Sequence, residues 1–408
     1  MVSTNEQNEA DFRILMIGQR RTGKSSVLSA MLKKMQSLKT ETGFQFEADP
    51  DTEILMRTKL SNLERIFYLY QRDETFSTLM GEKDGEDYSS MTDVAVYYKF
   101  FLSLAKDQKG EKYSVEFTDI RGEDMLSSMG KEDEKVSERF KKSNIILIAV
   151  DSPALMEYNG NYAEAVNAPD NIYECIKDAD FASRKEFGDD KSIPPKMVLF
   201  VPLKCEKYYH ENRMRELVEA LKSRYKNVLA FLGARKEYTV VVTPILTLGE
   251  VVFHDYETVT GRNGKKRPRL LRDEDKNVPE TMRNIPKSPL FRFRSQNSSF
   301  SPQFCEQPLL YILAYVMSME KYIQEMEKRE AKKQNRFSVL NLLKHAALFY
   351  FFGLFYVAFL GAQHMLANKD FKVQAVKTLN EHIILDDPDK GYVILQDNMN
   401  LKGVKALC

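Results

Sequence analysis

Close to its amino terminus the chain reads Gly18-Gln19-Arg20-Arg21-Thr22-Gly23-Lys24-Ser25, followed by Ser26. The spacing is G-x-x-x-x-G-K-[ST], which suits the binding of phosphate groups. Glycines at 18 and 23 permit backbone angles that side chains resist, so the N–H groups of Gln19, Arg20, Arg21 and Thr22 can curl around phosphate oxygens. A helix starting at the end of this stretch adds the positive end of its dipole. In such a loop Lys24 reaches the β- and γ-phosphates, and the Ser25 hydroxyl ligates Mg²⁺.

Further along stands Asp119-Ile120-Arg121-Gly122, a D-x-x-G sequence. Asp119 is expected to hold the metal through water and the Gly122 N–H to sense the γ-phosphate. Glu123 follows, where a water-orienting residue often stands. A carboxylate there can take the water's proton but faces a negative phosphate, so hydrolysis is expected to be slow. Thr92, just ahead of an apolar stretch, is placed to complete the metal shell in the triphosphate state. Arg20 or Arg21 could offset charge that develops in the transition state.

A third group concerns the base. Leu203-Lys204-Cys205-Glu206 stands where an N-K-x-D sequence would read guanine. Lys204 could lie along the base plane and Glu206 could accept hydrogen bonds from N1 and N2. Leu203 lacks the amide of the expected Asn, and Glu is longer than Asp. In Thr243-Pro244-Ile245 the proline has no N–H, so Ile245 would have to supply the amide for guanine O6.

The order of these motifs resembles that of the Ras-like, TRAFAC class of P-loop GTPases. More narrowly, 18–26, Asp-Ile-Arg-Gly-Glu at 119–123, Thr-Pro-Ile-Leu-Thr-Leu-Gly at 243–249 and Cys-Glu-Gln-Pro-Leu-Leu-Tyr at 305–311 look like the bacterial double-GTPase branch. The resemblance covers about 12–322. It implies a nucleotide-dependent switch with GTP or GDP and Mg²⁺ as cofactors.

Positioning such residues needs strands that end at the motifs. Apolar runs at 12–17, 93–104, 113–118, 145–150, 197–203 and 238–245 read as strands. Helical periodicity follows 24, with Val27, Met31 and Met35, and recurs at 52–71, 131–142 and 212–225. Alternating strands and helices predict an α/β protein, a P-loop NTPase with a Ras-like, mostly parallel sheet flanked by helices, and with a C-terminal hydrophobic helix and small tail. The expected units are a polar tail at 1–11, a GTPase domain at 12–330 and a C-terminal segment at 331–408. The polar stretch 250–305 reads as an insertion before the last helix, 307–330. Its core, 250–301, reads as a solvated loop, and its basic run 262–272 as an alternative site for an acidic partner.

Composition sets the outer limits. The 408 residues carry 60 Lys and Arg against 59 Asp and Glu, a net charge of +1, which makes nucleic acid an unexpected partner. Cys175, Cys205, Cys305 and Cys408 are widely separated, which suits a reducing compartment better than a disulfide framework or a metal site. No apolar leader opens the sequence, so a cytoplasmic location is expected. The uncharged run 346–362 is slightly short of the roughly 20 residues a spanning helix needs. It reads as a membrane anchor, a helix buried in the domain or a dimer, or an interfacial helix. Past it, 381–385 and 392–395 read as strands joined by a hairpin turn at 386–391.

Three functions remain open from sequence: a slow GTPase switch, a P-loop ATPase, and a nucleotide-gated scaffold with little turnover, each with an unknown protein partner. Neither Asp119 nor Asp151 has an acidic neighbour of the kind expected in an ATPase, which favours the first.

Overall fold

The structure, a computed structural model, describes residues 10–19, 22–77, 96–104, 112–120, 133–187, 193–261, 264–273, 280–334 and 368–405. In chain order the elements are β1 (Phe12–Ile17), α1 (Lys24–Thr42), β2 (Phe44–Ala48), α2 (Pro50–Leu69), β3 (Phe76–Ser77), β4 (Val96–Leu104), β5 (Tyr113–Asp119), α3 (Asp133–Lys142) and β6 (Ile145–Asp151). There follow α4 (Ser152–Met156), α5 (Ala163–Asn167), α6 (Pro169–Phe187), β7 (Lys196–Leu203), α7 (Glu206–His210), α8 (Met214–Arg224), α9 (Lys226–Gly233) and β8 (Tyr238–Val242). The last third holds β9 (Val251–Tyr256), β10 (Thr258–Thr260), β11 (Lys266–Pro268), β12 (Pro289–Phe293), α10 (Gln307–Gln334), α11 (Lys369–His382), β13 (Val393–Gln396) and α12 (Leu401–Lys405).

Eight strands form one sheet in the order β13-β8-β7-β6-β1-β5-β4-β2. Strands β5, β1, β6, β7 and β8 run parallel; β4, β2 and β13 enter through antiparallel pairings. The α/β class and the mostly parallel sheet flanked by helices are therefore as the sequence predicts. The reason is visible in β6, whose Ile-Ile-Leu-Ile-Ala-Val-Asp is buried throughout, as expected for a strand covered on both faces.

Side-chain alternation along the strands sorts two core layers. Phe12, Ile14 and Met16 of β1 and Leu147 of β6 pack with Val27, Leu28 and Met31 of α1, Tyr311 and Tyr315 of α10, and Phe371 and Leu379 of α11. Leu15 and Ile17, with Ile146 and Ile148, face the other way onto α6, α8 and α9 through Ile172, Ile176, Leu217, Leu221 and Leu232.

Two expectations need correction. The 250–301 stretch is not simply a solvated loop: β9 and β12 pair antiparallel and β12 also pairs with β3, giving a second, three-stranded sheet. Val251, Phe253, Tyr256 and Phe291 bury against Ile66, Phe67 and Phe76, so a few aromatic side chains supply the core. The separate β10–β11 ribbon includes Lys266 and Arg267 of the basic run. The hairpin read at 381–395 also forms differently. The 386–391 turn is present, with Asp387 and Tyr392 exchanging backbone hydrogen bonds. Its second arm, β13, pairs with β8 as the edge of the main sheet, while 381–382 ends α11. On the other arm the Ile384 carbonyl accepts from Tyr311 Oη at 2.8 Å, so this arm is used for packing against α10.

Strand β2 escaped the sequence reading, although Phe-Gln-Phe-Glu-Ala alternates as a half-buried strand should. Among the described residues no helix is long and apolar enough to cross a membrane. The run 346–362 lies outside those residues.

Candidate functional site

β1 lies between β5 and β6, and its C-terminal end opens where the chain goes on to α1. In open α/β sheets such a crevice beyond the strand ends is where ligands bind. Gly18 has φ +149°, and a Cβ there would meet the Ala149 carbonyl oxygen of β6 at 3.0 Å. Gly23, at φ +108°, precedes α1 and makes no side-chain cap, so the first turn's N–H groups are not consumed by a capping side chain.

Lys24, the first residue of α1, is 8% exposed and folds back over the loop. Its Nζ donates to the Gly18 carbonyl at 2.7 Å and the Gln19 carbonyl at 3.3 Å, and lies 3.7 Å from Asp119 Oδ1. Ser25 Oγ donates to Asp119 Oδ2 at 3.2 Å, bridging the start of α1 and the end of β5. Thr22 Oγ1 turns inward to the Gln19 carbonyl at 2.9 Å. Two buried polar atoms here, Gln19 Nε2 and Asp119 Oδ1, have no hydrogen-bond partner among the described residues. Orphaned buried groups of this kind are uncommon and are a natural place for a polar ligand to bind. Ser25 and Asp119 also offer the hard oxygen donors that Mg²⁺ takes from protein. The loop and its neighbours therefore fit a phosphate with a divalent cation.

Of the other residues singled out by sequence, Arg20, Arg21, Thr92, Gly122 and Glu123 lie outside the described residues. Ser26 belongs to the first turn of α1.

The end of β7 is brought beside this loop. Leu203 is 1% exposed, and its Cδ1 lies 3.5 Å from where a Cβ on Gly23 would sit. The apolar residue that replaces the expected Asn thus packs under the loop. Lys204 has left-handed backbone angles, φ 55°, and its Nζ binds Asp151 Oδ2 at 2.6 Å. Asp151, at the end of β6, also caps α4 by accepting from the Ala154 N–H at 3.0 Å, and Asn167 holds its backbone on both sides.

Glu206 opens α7 and is 2% exposed. Its Oε1 accepts the Leu248 N–H at 3.0 Å. Burial pushes its carboxyl up to about 7, against the opposing pull of the Leu248 amide and of Lys204. The Ile245 N–H, expected to be open to a base, donates to the Pro202 carbonyl at 3.1 Å and extends the β7–β8 ladder. Gly249, at φ +64°, ends the 243–249 segment, and a Cβ there would stand 2.2 Å from the Ser301 carbonyl oxygen.

Sequence reasoning missed Asp151 as the partner of Lys204 and Leu248 as the partner of Glu206. An apolar strand that ends on a carboxylate was a signal for the first. Nothing local marks the second, since 42 residues separate the pair. Among the described residues no cluster of His, Cys, Asp and Glu could hold a metal by itself. In comparisons with other proteins, no protein-family model matches this chain, and no curated protein is significantly similar to it.

Proposed function

We propose that the protein is a Mg²⁺-dependent GTP-binding switch of the Ras-like P-loop kind, with slow hydrolysis to GDP. The observation that carries this reading is the convergence of Lys24, Ser25 and Asp119 at the end of β1, beside a loop with left-handed glycines. Support also comes from the strand order, in which β4 runs antiparallel beside β5 and the parallel strands continue through β1, β6, β7 and β8.

Each residue then has a stated task. The Gly18 and Gln19 carbonyls hold the Lys24 ammonium at the loop, and a bound β- or γ-phosphate takes it from them. The 18–25 backbone binds phosphate oxygens through its N–H groups. Ser25 and Asp119 would hold Mg²⁺, which supplies neutralisation of the phosphate charge. Thr92, Gly122 and Glu123 would respond to the γ-phosphate, Glu123 as a poor water-orienting group. Arg20 or Arg21 would offset transition-state charge.

One observation favours a second reading, an adenine or unselective nucleotide site. Glu206 and Ile245, which should read guanine, are both bonded to backbone within the protein. Equilibrium binding of fluorescent GDP, GTP analogue, ADP and ATP analogue with Mg²⁺ separates the two. A guanine preference of about tenfold, near 1.4 kcal/mol, is expected. Equal binding or an adenine preference would overturn the assignment of GTP. Glu123→Ala tests turnover: an unchanged hydrolysis rate would remove that residue from the mechanism and favour a nucleotide-gated scaffold.

A further inference from the structure

The C-terminal tail reaches back to the crevice. Its turn at 386–391 is closed by the exchanged backbone bonds of Asp387 and Tyr392, each 2.9 Å, and by the Gly391 N–H on the Pro388 carbonyl at 3.1 Å. β13 then runs antiparallel to β8 with Val393 opposite Val242, which brings the turn alongside the 243–249 segment. Gly391 (φ +85°) comes so close that a Cβ there would lie 3.3 Å from Pro244 Cγ and 2.7 Å from Met214 Cε. The next residue, Tyr392, is fully buried, and its Oη donates to the Pro244 carbonyl at 3.0 Å. Its ring stands edge-on to Phe304, with centroids 5.7 Å apart. Gln303, beside Phe304, exchanges backbone bonds with Leu246 at 2.9 and 3.1 Å.

Pro244 has no N–H, so only its carbonyl can anchor that point of the chain. Tyr392 supplies the anchor from outside the β7 side, where the Thr243 and Ile245 N–H groups donate to the Phe200 and Pro202 carbonyls at 2.8 and 3.1 Å. The segment also meets 203–206. Cys205 Sγ donates to the Ile245 carbonyl at 3.6 Å, and the Leu248 N–H donates to Glu206 Oε1 at 3.0 Å. The carboxylate expected at guanine is therefore aimed by 243–249, and the tail holds that segment at the Pro244 carbonyl. A buried carbonyl that loses its donor costs more than the bond contributed, so removing the Tyr392 hydroxyl alone disturbs the segment.

We infer that Tyr392 is a positioning residue for base selection. Through the Pro244 carbonyl it holds 243–249, and with it Glu206, in the register that discriminates guanine from adenine. The inference rests on the GTP-binding reading, and the tyrosine acts through the segment, not by contact with the base. Tyr311 supplies a matched comparison. It is also fully buried, and its Oη donates at 2.8 Å to the Ile384 carbonyl, on the arm of the tail that packs against α10.

The test compares the full chain with Tyr392→Phe and Tyr311→Phe by two readouts. The first is hydrogen exchange of 243–249 without nucleotide, followed by mass spectrometry. Tyr392→Phe keeps the ring against Phe304 and is expected to speed this exchange about tenfold, whereas Tyr311→Phe should change it less than about twofold. The second is binding of fluorescent GDP and ADP with Mg²⁺. A guanine preference of about tenfold should fall to about twofold in Tyr392→Phe and persist in Tyr311→Phe, with ADP affinity constant within about twofold. Unchanged exchange in Tyr392→Phe overturns the inference whether or not nucleotide binds. So does a guanine preference that survives faster exchange, or an equal loss of preference in Tyr311→Phe, which would mark a general loosening of the tail. A wild type without base preference sinks the GTP reading and this role of Tyr392 together. The exchange data then separate that failure from a tyrosine that holds nothing.

Discussion

At one end of the crevice, Lys24 and Ser25 rest on carbonyls of their own loop and on Asp119, and two buried polar atoms there have no hydrogen-bond partner among the described residues. At the other end, Lys204 is paired with Asp151 and Glu206 with the Leu248 N–H. The first end is arranged by backbone shape and can exchange a weak internal contact for a ligand. The second is filled by internal partners that a ligand has to displace. A site of this construction would draw most of its affinity from phosphate and only about tenfold discrimination from the base, because a displaced buried carboxylate must find an equal partner in the ligand.

The largest effect should come from breaking the first end. Lys24→Ala is expected to weaken triphosphate binding by about a hundredfold, near 3 kcal/mol, because it removes a buried charge from the proposed phosphate cradle. Binding that stays tight would remove the 18–25 loop from the nucleotide site. Asp119→Asn probes the same end through the metal. The Mg²⁺ dependence of binding should weaken about tenfold, while binding in chelator stays close to wild type. An equal loss in both conditions would make Asp119 a packing residue.

Gly249→Ala reaches the second end without removing a polar side chain. Its φ of +64° and the Ser301 carbonyl 2.2 Å from the new Cβ oppose any side chain. A loss of about 3 kcal/mol in unfolding stability is expected from urea titration. If 243–249 also sets base preference, the surviving folded fraction should discriminate less between guanine and adenine than wild type does. A stable variant would show that 249–301 gives way easily.

The two ends also differ in how legible they were. Glycine spacing, the Lys24-Ser25 pair and the apolar strands that end at Asp119 and Leu203 are local features, and the structure places them side by side. Strands such as β6 and β7 announce themselves because both faces are buried, which makes the run continuously apolar. The 249–301 region hides its core: Phe253, Tyr256 and Phe291 are scattered among charges, and their partners Phe67 and Phe76 come from far upstream. Pairing of β13 with β8 was invisible for the same reason, since a good turn at 386–391 suggested a local hairpin. The bond from Leu248 to Glu206 is likewise a long-range contact, made possible only once β7 and β8 lie adjacent.

Glu206→Gln tests whether the second end is occupied as described, through pH. The carboxyl is raised from an ordinary 4.5 to about 7 by burial, so the folded state holds a proton that the unfolded state releases. A raised folded value means stability is greatest below the unfolded pKa and declines as pH rises toward 7, by at most on the order of 3 kcal/mol. Gln keeps an oxygen for the Leu248 N–H and cannot ionise. Its melting temperature relative to wild type should therefore climb between pH 5 and 7.5, then level off. A flat difference across that range would mean that Glu206 ionises normally in the folded protein. It would then be open to solvent or to a base, and the contrast between the two ends of the crevice would disappear.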